Sequence, residues 1–107
     1  MKKLKLIVRY IRDYYVIKNS GLFDPSYYLA NNIDVRQADM NPIKHYVKYG
    51  WSEGRKPSSG FNGKYYLSTY FDVKNANLNP LVHYIRFGIN EGRLPDFPTR
   101  LLIEEYD

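Results

Sequence analysis

The chain repeats itself, and that constrains its fold more than any other feature. Shifted by 38 residues, positions 23–57 fall on 61–95 without a gap, and 16 of the 35 positions are identical. The shared residues run through Phe23/Phe61, Tyr28/Tyr66, Asp34/Asp72, Pro42/Pro80, His45/His83, Gly50/Gly88 and Arg55/Arg93. A period of this size marks small supersecondary units, each of which must bury its apolar face against a neighbour. At 107 residues the chain holds one small domain. We divide it into a helix over 1–19, repeats over 20–57 and 58–97, and a tail over 98–107.

Each repeat reads as three helical pieces. Asp24 can cap the first, with Pro25 at the first helical position. Asn62 and Gly63 stand in the second copy. Asp34 and Asp72 are expected to cap a very short second piece that ends at Ala38 and Ala76. Asn41-Pro42 and Asn79-Pro80 are expected to start the third. Gly50 and Gly88 are expected to stop it in a left-handed conformation, which glycine adopts without steric cost. Apolar residues just before the caps predict staples: Phe23 with Tyr28, Phe61 with Tyr66, Ile33 with Ala38 and Phe71 with Ala76. Met40 would meet His45, and Leu78 would meet His83. The third helix buries Ile43, Tyr46 and Val47, matched by Leu81, Tyr84 and Ile85. Lys44 and Lys48 face water, while Val82 breaks that pattern and marks either an exposed apolar residue or a contact.

The first segment reads as one long amphipathic helix. Leu4, Ile7, Val8, Ile11, Tyr14 and Tyr15 recur at the spacing of one helical face. That face is expected to cover the end of the repeat stack. Lys2, Lys5, Arg9 and Arg12 lie mostly elsewhere and form a candidate contact with an anionic membrane or a partner. Lys5 and Arg9 interrupt the apolar stretch, and no small-residue cleavage site follows, so a signal peptide is not expected. No apolar run approaches the roughly 18 residues of a membrane span. In the tail, Thr99 is expected to cap a short helix over 100–106. The architecture predicted is therefore all-α.

Charge is uneven. Residues 1–19 carry six cations against Asp13, residues 20–57 five cations against four acids, and residues 58–107 five against six. The net charge of +5 thus lies in the first segment. A nucleic-acid binder would carry a basic stripe over its folded body, so no nucleic-acid partner is expected. With no cysteine, a thiolate zinc site, a disulfide and a cysteine nucleophile are excluded.

His45 and His83 are the two histidines and stand at equivalent places. Neither has a second ligand at metal spacing, so both are read as packed, hydrogen-bonded structural residues, and neither metal nor cofactor is expected. Glu53/Arg55 and Glu91/Arg93 are read as ties from a glycine turn to the repeat core or to the next repeat. Eighteen aromatics exceed what staples and stripes require. Tyr27, Tyr49, Trp51, Tyr65 and Tyr70 are candidates to line a groove where a ring stacks on a sugar.

Certain strings carry a resemblance. Ser20-Gly21-Leu22-Phe23-Asp24, Tyr27-Tyr28-Leu29, Asn41-Pro42, His45-Tyr46 and Gly50-Trp51-Ser52-Glu53-Gly54-Arg55, repeated downstream, resemble segments flanking glycosyltransferases of the rhamnan synthesis protein F type. The resemblance covers about residues 15–97. Where that family often has Asn-Pro-Asp-Val, this chain has Asn32-Ile33-Asp34-Val35 and Tyr70-Phe71-Asp72-Val73. There is no strand–helix alternation for a sugar-nucleotide domain and no Asp-x-Asp for a metal–diphosphate. The resemblance implies a setting in bacterial cell-surface polysaccharide synthesis, in the cytoplasm or on the inner face of the membrane, and supplies no catalytic site. The function expected is a non-catalytic module that binds glycan or docks a glycosyltransferase or membrane. The alternatives are a pure protein-interaction module and the N-terminal part of a longer glycosyltransferase. An enzyme in its own right is disfavoured, and the oligomeric state is left open.

Overall fold

The computed structural model describes residues 2–98; Thr99 and the helix expected over 100–106 lie outside them. The described chain is helical. Helix α1 spans Lys2–Ser20. Then come α2 (Pro25–Asn31), α3 (Ile33–Gln37) and α4 (Pro42–His45), which runs without a break into a π-helical turn over Tyr46–Gly50. The order recurs in α5 (Gly63–Thr69), α6 (Phe71–Asn75), α7 (Pro80–His83) and a second π turn over Tyr84–Gly88. Among the described residues there is no strand, only an isolated bridge between Ser58 and Phe61.

Four caps form as their residues predict. Asp24 Oδ1 accepts from the Tyr27 N–H at 3.0 Å, and Asn62 Oδ1 from the Tyr65 N–H at 3.0 Å. Asn41 Oδ1 accepts from the Lys44 N–H at 3.1 Å. Asn79 Oδ1 takes two amides, Leu81 at 3.0 Å and Val82 at 3.3 Å. Proline stands at the start of α2, α4 and α7, where its missing N–H costs no helical bond. Each repeat also closes on itself. The Asp24 N–H donates to the Pro57 carbonyl at 3.0 Å, and the Asn62 N–H to the Pro95 carbonyl at 2.9 Å.

Two expectations about starts and stops are corrected. Asp34 and Asp72 cap nothing: Asn32 and Tyr70 occupy the cap positions, without a side-chain bond. The two aspartates turn outward to Arg55 and Arg93 instead. Gly50 and Gly88 are not left-handed stops either, since the chain passes through both and stays helical. The left-handed residues are Gly54 (φ 76°) and Gly92 (φ 72°), four positions later. There the Arg55 N–H donates to the Gly50 carbonyl and the Gly54 N–H to the Trp51 carbonyl, the paired bonds of a Schellman stop. The same pair closes α3 and α6 around Asp39 and Asn77, which take φ of 54° and 53°.

Gly50 and Gly88 have a different role. A Cβ on Gly50 would collide with the Tyr28 hydroxyl and stand 3.3 Å from Tyr46 Cδ1. A Cβ on Gly88 would collide with the Tyr66 hydroxyl and stand 3.1 Å from Tyr84 Cδ1. Each glycine lets a buried tyrosine pass close to the π turn. Those tyrosines are the centre of the core: Tyr28, Tyr46 and Tyr66 are fully buried, with Val35, Val73 and Leu81 around them. Phe23 lies 5.2 Å from Tyr28 and Phe61 lies 5.6 Å from Tyr66, ring centre to ring centre, as the staples predict. The Ile33–Ala38 and Phe71–Ala76 staples do not form; Ile33 and Phe71 stay exposed.

Helix α1 is not the end cap of a stack. It packs on α4 and its π turn and also on α7 and its π turn, so it is a spine shared by both repeats. Its seated face is also not the expected one. Asp13 and Ile17 are buried, and Tyr10 and Val16 are packed beside them. Leu4, Ile7, Val8, Ile11 and Tyr15 are all more than half exposed. One polar bond ties the seat to the second repeat, Arg9 Nη2 donating to the Asn77 carbonyl at 2.7 Å, while Arg12 pairs with its neighbour Asp13 within the helix at 3.0 Å. No described helix is long and apolar enough to cross a membrane.

Candidate functional site

The histidines, arginines and acids of the repeat signature are engaged inside their own repeats. His45 Nδ1 is 2.8 Å from the Tyr28 hydroxyl, and His83 Nδ1 is 2.7 Å from the Tyr66 hydroxyl. Burial, then the nearby guanidinium of Arg55 or Arg93, lowers both imidazole pKa values below their ordinary 6.5. Burial also raises the pKa of both tyrosines. Arg55 grips Asp34 with two bonds of 2.8 Å, adds Asn32 Oδ1 at 3.0 Å, and lies 3.3 Å from Glu53. Arg93 repeats the grip on Asp72 at 2.8 Å twice and lies 3.1 Å from Glu91. These pairings hold the Asp34 and Asp72 carboxyls down to a pKa of about 2. In the second repeat Tyr70 replaces Asn32, and its ring lies 4.8 Å under the Arg93 guanidinium.

The five candidate aromatics do not line one groove. Tyr65 packs against Phe97 with ring centres 4.5 Å apart and the planes tilted by 47°. Tyr70 accepts the Leu94 N–H at 2.7 Å through its hydroxyl. Trp51 packs half-buried on the core, and Tyr27 is half-buried beside its cap. Tyr49 alone of the five borders an open groove, of about 670 Å³, between α1 and the first repeat. Its walls are Ile7, Tyr10, Ile11, Tyr14 and Tyr15 from α1, facing Lys44, Lys48 and Tyr49. The ammonium groups sit near the rings: Lys44 Nζ lies 6.0 Å from Tyr14, and Lys18 Nζ lies 5.7 Å from Tyr14 and 6.0 Å from Tyr15. A flat apolar body carrying negative charge suits such walls.

Residues 1–19 thus supply most of the groove. The spacing of Ile7, Ile11, Tyr14 and Tyr15 was visible in the sequence, and so were Lys44 and Lys48 one turn apart. Nothing local shows that they face each other. Of the four candidate contact cations, Arg9 and Arg12 are engaged at the seat of α1, while Lys2 and Lys5 are exposed. Val82 is the contact that its place in the pattern allowed for. It is buried with Asn79, and beside half-buried Leu78, against Arg9, Arg12 and Asp13 of α1. No cluster of three or more metal-ligating side chains occurs among the described residues.

The fold and the groove define a small all-α protein with an aromatic, lysine-edged surface cleft. Compared with known proteins, the chain matches no family model, no curated protein and no solved structure.

Proposed function

We propose that this chain is a non-catalytic module of bacterial cell-surface polysaccharide synthesis, built from an amphipathic helix and two tandem 38-residue helical repeats. It binds glycan, or docks a glycosyltransferase, at the inner face of the membrane. What supports the reading is the division of labour between residues. The histidines, arginines and acids of the signature are spent on internal bonds, whereas the aromatic groove between α1 and the first repeat stays open. A sugar ring lies on a tyrosine face through its C–H groups, and Lys44 and Lys48 can meet an acidic substituent.

Titration of isotope-labelled protein with a purified oligorhamnan tests it. The amide signals of Tyr10, Tyr14, Tyr15 and Tyr49 are expected to move, and Tyr49→Ala is expected to remove the response. Turnover of a sugar nucleotide by the purified chain would overturn the non-catalytic reading.

A further inference from the structure

The expected seat of α1 is its most apolar face, yet that face is open. Leu4, Ile7, Val8, Ile11 and Tyr15 follow helical spacing and form one stripe, about 16 Å long at the rise of an α-helix. The seated residues Asp13 and Ile17 lie on the opposite side. Every residue from 2 to 8 is exposed, and of these Ile7 also walls the groove of the first repeat. A contiguous apolar stripe of this kind marks an interaction surface.

Charge decides what covers it. Lys3, Lys5 and Lys18 are exposed along or beside the stripe, and Lys44 and Lys48 edge the groove next to it. The one acid of α1, Asp13, is buried on the seated side and paired with Arg12. A second copy of this face would bring lysine rims together with no acid between them. A layer of anionic lipid headgroups neutralises all of them, while the long lysine stems let the stripe sink to the acyl boundary.

We infer that the open stripe of α1, with its lysine rims, seats the protein on an anionic bilayer surface. The helix lies in the interface plane, and its opposite side carries both repeats. This rests on the reading of the chain as a docking module and names the surface to which it docks.

Cosedimentation of the full chain with vesicles tests it. One set contains phosphatidylglycerol and phosphatidylcholine, the other phosphatidylcholine alone. Binding to the anionic set, weakening as salt rises, is expected. Lys3→Gln with Lys5→Gln should weaken it about 30-fold, two headgroup interactions being removed. Leu4→Gln with Val8→Gln keeps the charge and is expected to abolish binding while leaving the thermal melt in place, since both side chains are exposed. Absence of anionic binding at low salt overturns the inference, as does undiminished binding by the Leu4/Val8 variant. Self-association in the ultracentrifuge that this variant abolishes also overturns it, assigning the stripe to a second copy. If vesicles fail while the oligorhamnan still shifts Tyr49, this inference falls alone. If both fail, the module reading falls with it.

Discussion

Lys44 faces an open groove; its counterpart 38 residues on, Val82, is buried against α1. Asn41 caps its helix in solvent, while Asn79 caps its own at 2% exposure. Tyr46 is fully buried, while Tyr84 is only half-buried. Inside the repeats the bonds recur: tyrosine to histidine, arginine to aspartate, cap to first-turn amides. The differences lie where α1 crosses. Over the second repeat it closes down and leaves a gap of about 20 Å³; over the first it leaves the groove of about 670 Å³. The repeated residues hold each unit together. The unrepeated ones decide which unit is sealed and which presents a surface.

That contrast can be broken most severely at the glycines. Gly50→Ala forces a methyl group into the Tyr28 hydroxyl with fully buried Tyr46 alongside, and we expect a loss of about 3 kcal/mol in denaturant unfolding. Gly88→Ala should cost less, because half-buried Tyr84 has room to give. Equal losses would show that Tyr46 and Tyr84 make no difference.

Exchanging the divergent pair comes next. Val82→Lys places a charge under α1 and should cost about 2 kcal/mol. Lys44→Val should stay within about 0.5 kcal/mol, because its side chain faces the groove. A large effect at both positions would mean that the first repeat is sealed too.

His45→Ala and His83→Ala should each cost about 1–3 kcal/mol by leaving a buried tyrosine hydroxyl unpaired, and chelator should not move either melt. Both imidazoles have lowered pKa values in the fold, so the unfolded chain takes up protons first on acidification. Their contribution is intact above the ordinary value of 6.5 and declines as pH falls from there toward the lowered folded values. A second loss follows between pH 3.8 and about 2, as Asp34 and Asp72 protonate and release their arginines. Stability rising on acidification from pH 7 to 5 would contradict the histidine environment. Asn41→Ala should cost about 1 kcal/mol, the loss of one exposed cap.

What could be read from the sequence was local. A cap is a side chain bonding an amide two or three residues on, so Asp24, Asn41, Asn62 and Asn79 were legible. The staples at Phe23 and Phe61 were legible for the same reason. Gly50 was legible as a glycine but not in its role, because the atom that demands it belongs to Tyr28, 22 positions earlier. Asp34 matched a cap by spacing and was instead taken by Arg55, 21 residues downstream. The stripe on α1 was visible as periodicity, but periodicity carries no information about what lies against it. The groove needed two such unknowns at once: the roll of α1 about its axis, and the side of α4 that it faces.

The roll of α1 is the claim on which the groove and the open stripe both depend. Thermal unfolding of Ile17→Asp beside Ile11→Asp measures it. Ile17 is fully buried and Ile11 is 53% exposed, although both are isoleucines on the same helix. Ile17→Asp is expected to destabilise the fold by about 3 kcal/mol or more, and Ile11→Asp to melt where the unaltered chain melts. A large loss at Ile11 with little at Ile17 would put the apolar stripe against the repeats and contradict this roll of α1.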